Sequence, residues 1–127
     1  MVPTPFDVQT EELEDGVRAF TVKGELDLDT APALEQPLEG AIANGGSEGA
    51  AILIDLSECE FIDSTGIALI VRAWQRVDGQ GDAGGSGGQL VLCCSNDQVQ
   101  RLLKITGVES SIAMHPNREA ALSALRR

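Results

Sequence analysis

Ala51-Ile52-Leu53-Ile54-Asp55-Leu56 is followed, one polar turn later, by Phe61-Ile62-Asp63-Ser64-Thr65-Gly66. The first run is continuously apolar, the mark of a strand covered on both faces. After the second the period changes, and Ile67, Ile70, Val71, Trp74 and Val77 fall on one face of a helix. A buried strand that leads through Asp-Ser-Thr-Gly into an amphipathic helix points to an α/β fold.

Upstream, Phe6 to Thr10 and Val17 to Val22 alternate as two strands, joined by a polar stretch ending in the hairpin pair Asp15-Gly16. Gly24-Glu25-Leu26-Asp27 follows, and Asp29 or Thr30 is expected to cap a helix carrying Ala31, Leu34, Leu38, Ala41 and Ile42. Pro37 lies inside that pattern and removes a helical hydrogen bond, so a kink or a fresh start is expected there. Asn44 to Gly49 reads as a loop.

Downstream, Asp78 to Gly88 holds six glycines and reads as a flexible loop that partner binding does not need. Gln89 to Cys94 is a second buried strand. Ser95-Asn96-Asp97-Gln98 has the form of a capping box for a helix with Val99, Leu102, Leu103 and Thr106 inside, stopped by Gly107. Ser111 to His115 is a short strand, and Asn117 caps a last helix through Leu125. The predicted order, ββαβαβαβα, implies a mixed sheet flanked by helices.

The chain has 127 residues, enough for one hydrophobic core. Three Phe, one Trp and no Tyr leave the core to Leu, Ile, Val and Ala, and provide no base-stacking surface. A net charge of −11 would be repelled by nucleic acid and by anionic membranes. No apolar run approaches the roughly 18–20 residues of a membrane span, and the first residues lack a signal pattern. Cys59, Cys93 and Cys94 lack metal or disulfide spacing and read as buried free thiols. A cytoplasmic, reduced protein is expected.

Enzyme chemistry is not visible. Gly79-Gln80-Gly81-Asp82-Ala83-Gly84 spells GxGxxG, but a helix precedes it and a strand follows, the reverse of the dinucleotide-binding order. His115 is the single histidine, too few for a triad or a histidine-rich metal site. No phosphate loop or nucleophile elbow occurs. Neither a catalytic residue, a metal nor a cofactor is expected.

The informative segment is Asp63-Ser64-Thr65-Gly66. Asp63 is placed to cap the helix, Ser64 and Thr65 to open it, and Gly66 to keep the surface low for an approaching backbone or ligand. A phosphate on the exposed hydroxyl would sit in the field of free helix N–H groups. From spacing alone, capping residues with no further role are the better account of the segment, because capping serines are common.

Gly24-Glu25-Leu26-Asp27 with Asp29-Thr30-Ala31, then Phe61 to Ile67, then Leu102-Leu103-Lys104-Ile105-Thr106-Gly107-Val108 resemble three successive landmarks of the STAS domain, in order and with similar spacing. That family covers sulfate transporter and anti-sigma factor antagonist domains, and the Asp-Ser-Thr-Gly form is similar to that of the stand-alone antagonists. The resemblance implies a mixed β-sheet of four to five strands with helices packed against it, in a single STAS domain over residues 1–127 with its core at about 6–126. The Gly-rich loop is longer than the family's usual turn.

It further implies that Ser64 is phosphorylated by an anti-sigma factor that is itself a serine kinase. The unphosphorylated antagonist binds that factor and frees the sigma factor; a serine/threonine phosphatase reverses the modification. Asp27 and Asp63 match acidic positions beside the serine, and Thr65 the next residue, a poorer acceptor. Asp27, Asp63, Ser64, Thr65 and Gly66 then form the partner-binding set, on a chain expected to be monomeric. An alternative within the same resemblance is a nucleotide-binding or scaffold module in a signalling or transporter assembly.

Overall fold

Ten residues in a row, Val17–Leu26 (β2), pair with three other strands and organise everything that carries Ser64. The computed structural model describes residues 5–13, 16–44, 50–78 and 88–125. Asp7–Glu12 (β1) pairs antiparallel with β2, from Asp7 opposite Lys23 to Glu12 opposite Arg18. Ala51–Asp55 (β3) pairs with β2 in parallel, Gln89–Cys93 (β5) with β3, and Met114–His115 (β6) with β5. Cys59–Ile62 (β4) pairs in parallel with the far end of β2, outside the main order β1-β2-β3-β5-β6.

Among the described residues four helices cover this mixed sheet: Ala31–Ala43 (α1), Ser64–Asp78 (α2), Asp97–Thr106 (α3) and Arg118–Leu125 (α4). The alternation of side chains along a strand divides the interior in two. Ile52 and Ile54 of β3 and Leu90 and Leu92 of β5 join Leu34 and Leu38 of α1, Ile70 and Val77 of α2, and Leu103 of α3. Leu53, Val91 and Cys93 face the other way, onto Ala121 and Leu125 of α4. Both faces of β3 and β5 are thus covered, which is why those strands read as unbroken apolar runs. Each fully buried leucine, isoleucine or phenylalanine contributes roughly 1.5–3 kcal/mol; Phe20, Leu26, Ile54 and Leu103 are among them.

The predicted elements recur with corrections. Among the described residues the sheet has six strands rather than four or five, because β4 is too short and too exposed, with Glu60 and Phe61 outward, to announce itself. β2 runs four residues past Val22, and β6 covers only the end of the predicted Ser111–His115 strand, after a 3-10 turn at Val108–Ser110. α1 continues through Pro37 as one helix. Tertiary packing of Leu34, Leu38 and Ile42 holds the turn that the proline weakens. The cap of α3 is Asn96 rather than Ser95: Asn96 Oδ1 accepts the N–H groups of Gln98 and Val99 at 2.9 and 3.3 Å. Gly107 ends α3 at φ 81°, the left-handed position a C-terminal glycine takes up without strain. On α2 the buried set is Leu69, Ile70, Ala73 and Val77, with Ile67, Val71 and Trp74 half-buried, since the helix packs on both the sheet and α1. Residues 79–87, most of the Gly-rich loop, and Asp15 of the predicted hairpin lie outside the described residues.

Candidate functional site

Gly24 lies at φ 84°, and the register between β2 and β4 shifts between Gly24 and Glu25. The extra residue of this bulge is Glu60 of β4, between Cys59 and Phe61, while Gly24 takes up its positive φ without steric cost. Beyond it, Glu25 pairs with Phe61 and Leu26 with Ile62. β2 and β4 therefore end side by side, and the Asp63 N–H donates to the Leu26 carbonyl at 3.1 Å. This bond joins two segments far apart in sequence, one ending in Asp27 and the other in Ser64.

Asp63 caps α2. Its Oδ1 accepts the Gly66 N–H at 3.0 Å, and its carbonyl accepts the Ile67 N–H at 3.0 Å as the first helical bond. The N–H groups of Ser64 and Thr65 stay among the open donors of the helix end. Ser64 is exposed, Thr65 half-buried, and the Ser64 hydroxyl makes no hydrogen bond among the described residues. Ser64 is thus not the cap.

Gly66 is buried. A Cβ there would stand 2.8 Å from Leu26 Cγ, 2.9 Å from Ile62 Cγ1 and 3.0 Å from the Leu26 carbonyl oxygen. The backbone that approaches this glycine is the chain's own, where the sequence allowed for an external one. The glycine lets α2 start directly against the end of β2.

Asp27 is half-buried and holds the turn into α1. Its Oδ1 accepts the N–H groups of Asp29 and Thr30 at 3.0 and 3.1 Å, and its carbonyl accepts the Ala31 N–H at 2.8 Å. Thr30 Oγ1 accepts the Asp27 N–H at 2.8 Å and sends its one proton to the Glu25 carbonyl at 2.8 Å. Thr30 occupies the N-cap position of α1 without a side-chain cap bond, because its hydroxyl faces back along the chain.

The site is acidic and uncompensated. No described Lys or Arg makes an ion pair with Glu25, Asp27, Asp29 or Asp63. Elsewhere several carboxylates meet cations. A cleft of about 180 Å³ between α1 and α2 has Leu38, Ile42, Leu69 and Ala73 among its lining and Glu35–Arg72 and Glu39–Arg76 across it. On the opposite face of the sheet Arg118 reaches Glu11 at 2.9 Å, Thr21 at 2.8 Å and Asp55 at 3.4 Å.

Cys59, Cys93 and Cys94 are buried and free. Burial pushes the Cys59 thiol up to about 11. Burial, and then the nearby Asp55 carboxylate, pushes Cys93 up to about 12. Burial raises Cys94 as well. Thiols held protonated at neutral pH are poor nucleophiles and poor metal ligands. His115 lies in β6 opposite Cys93, and its Nε2 is buried without a hydrogen-bond partner among the described residues. No group of three or more His, Cys, Asp or Glu among the described residues could hold a metal ion, and none of their helices is long and apolar enough to cross a membrane.

Of the predicted site residues, the structure brings Asp27, Asp63, Ser64, Thr65 and Gly66 to one end of the sheet. Sequence reasoning passes over Leu28, which is 70% exposed. The available signal is an apolar residue between two aspartates in a polar turn.

Residues 9–121 match the STAS domain family. The anti-sigma-B factor antagonist of Listeria monocytogenes is 34% identical over 91 residues, 72% of each chain. The anti-sigma F factor antagonist of Paenibacillus polymyxa is 27% identical over 110 residues, 87% of each chain. The crystal structure of an anti-sigma factor antagonist from Mycobacterium paratuberculosis superposes with a TM-score of 0.81 at 28% identity, covering 97% of this chain and 96% of that one.

Proposed function

The chain belongs to the STAS domain family, and on that premise we propose that it is an anti-sigma factor antagonist switched by phosphorylation of Ser64. It acts by binding rather than catalysis, as one cytoplasmic domain with its core at about 6–126. Unphosphorylated, it binds an anti-sigma factor serine kinase through the face that carries Asp27, Asp63, Ser64 and Thr65, with Gly66 setting the approach of α2 to β2. The kinase modifies Ser64 and a serine/threonine phosphatase restores it.

One observation carries this reading: Asp63 does the capping, which leaves Ser64 with an exposed hydroxyl free of structural bonds. A phosphate there meets the open N–H groups of α2, so the fold tolerates it. It also adds about −1.5 to −2 charges beside Asp63 and Asp27. Drying so strongly hydrated a group inside the interface costs more than nearby charges return, and a loss of about 4 kcal/mol weakens binding about a thousandfold.

The test is incubation with each anti-sigma factor kinase of the same organism and ATP, followed by phosphosite mapping and binding measurements. Phosphate is expected on Ser64. Ser64→Ala should bind persistently with near-normal stability, Ser64→Asp should bind about a thousandfold more weakly, and Thr65→Ala should remain a substrate. Equal binding by the Ala and Asp variants, with no phosphate on Ser64, would end the proposal.

A further inference from the structure

Three large apolar side chains are exposed among the described residues: Leu28 at 70%, Phe61 at 38% and Ile105 at 74%. Isolated exposed apolar residues are ordinary on protein surfaces, so exposure by itself assigns nothing. Leu28 differs in how it is held and in what surrounds it. It is the second residue of the turn 27–30, whose backbone is fixed by Asp27 Oδ1 on the N–H groups of Asp29 and Thr30 and by Thr30 Oγ1 between the Asp27 N–H and the Glu25 carbonyl. The leucine is therefore presented on a backbone already ordered before any partner arrives, which lowers the entropy cost of using it in a contact.

The same turn is coupled to the switch serine. Leu26, two residues before Leu28, accepts the Asp63 N–H at 3.1 Å and packs where Gly66 has no side chain. Asp27 and Asp29 flank Leu28, Glu25 and Asp63 lie on the joined strand ends, and none of the four meets a described Lys or Arg. The chain as a whole carries −11. An apolar projection ringed by unneutralised carboxylates complements one kind of surface, an apolar pocket rimmed by Arg or Lys.

We infer that Leu28 is the apolar anchor of the contact with the anti-sigma factor, seated in an apolar pocket with a cationic rim on that protein. The inference rests on the reading of Ser64 above and names a residue that supplies the affinity the phosphate removes. A phosphate on Ser64 is strongly hydrated, so it keeps water at the edge of the contact that must become dry for Leu28 to seat.

Calorimetry of the full chain against each purified anti-sigma factor of the same organism tests this, with wild type, Leu28→Ala and Leu28→Met, and urea unfolding of each. Leu28→Ala should weaken binding at least about 30-fold, about 2 kcal/mol, with the urea midpoint unchanged because the side chain leaves no core. Leu28→Met should stay within about threefold of wild type. Raising salt from roughly 50 to 300 mM should weaken wild type and Leu28→Ala by the same factor, since the ring of carboxylates is intact in both. Binding of Leu28→Ala within about twofold of a wild type that does bind would overturn the inference and leave the Ser64 reading in place. Failure of wild type to bind any of these factors would overturn both.

Discussion

Two parts of the molecule treat carboxylates in opposite ways. Under α4, Asp55 and Glu11 both meet the guanidinium of Arg118, and the Thr21 hydroxyl completes the cluster on the same side chain. Beside Ser64, Glu25, Asp27, Asp29 and Asp63 meet no described cation, and the two that are engaged, Asp27 and Asp63, accept backbone N–H groups instead. The first arrangement ties β1, β2 and β3 to α4 and is complete within the chain. The second fixes a shape while leaving its charge for something else to meet. On the proposed function, the difference separates a region that serves stability from one that serves recognition, although both are polar.

That contrast can be broken or sharpened by experiment. The largest expected effect is the roughly thousandfold loss of partner affinity in Ser64→Asp, next to which Arg118→Ala should leave partner affinity unchanged. Next comes Leu28→Ala, as described above. Gly66→Ala should follow in size: its Cβ meets Leu26 and Ile62 at 2.8 and 2.9 Å, and such overpacking costs roughly 1–3 kcal/mol. A lowered urea midpoint together with weakened binding would show that the α2–β2 approach is needed for both; a midpoint equal to wild type would contradict the packing argument.

Arg118→Ala should cost about 1–2 kcal/mol, because it leaves Asp55 without its cation, with the Ser57 N–H on Oδ1, while Glu11 faces water. Asp55 is the vulnerable partner, with its side chain 14% exposed against 49% for Glu11. Urea unfolding read beside partner binding should show a shift in the first only.

The smallest effect concerns the buried thiols and alkaline pH. Their folded pKa values lie above the ordinary value of 9.0, at about 11 for Cys59 and about 12 for Cys93. In the unfolded chain they ionise first, so between pH 9 and 11 the unfolded state binds fewer protons and stability falls as pH rises. At pH 10 the loss is about 1 kcal/mol for each thiol. The chain has no tyrosine and only two lysines, so few other groups titrate in that window. A variant with Cys59 and Cys93 both replaced by alanine should be less stable at pH 7 yet show a flatter decline. An unchanged slope would mean that the thiols are not the cause.

What the sequence determined by itself was whatever depends on near neighbours. The apolar runs of β3 and β5 declared strands covered on both faces, the 3.6-residue spacing declared the helices, and Asp63, Gly107 and Asn117 declared where helices begin or end. Asn117 indeed accepts the Ala120 N–H at 2.8 Å. Cap and turn chemistry acts over three or four residues, so it is written locally. The landmarks around Ser64 were legible for the same reason.

The tertiary structure alone decided how these pieces meet. β4 exists because β2 runs on past its last pair with β3, Thr21 with Asp55, and offers Gly24 to Leu26 as a further edge, and no property of Cys59–Ile62 taken alone distinguishes it from a turn. The closeness of Asp27 to Ser64 depends on the bond from Asp63 to Leu26, 37 residues away in the chain. The reach of Arg118 back to Glu11 spans 107 residues. Where the backbone of Leu28 stands is set by the hydrogen bonds of Asp27 and Thr30. Contacts of this kind depend on the register of strands and the seating of helices, which the whole core sets at once and no local pattern records.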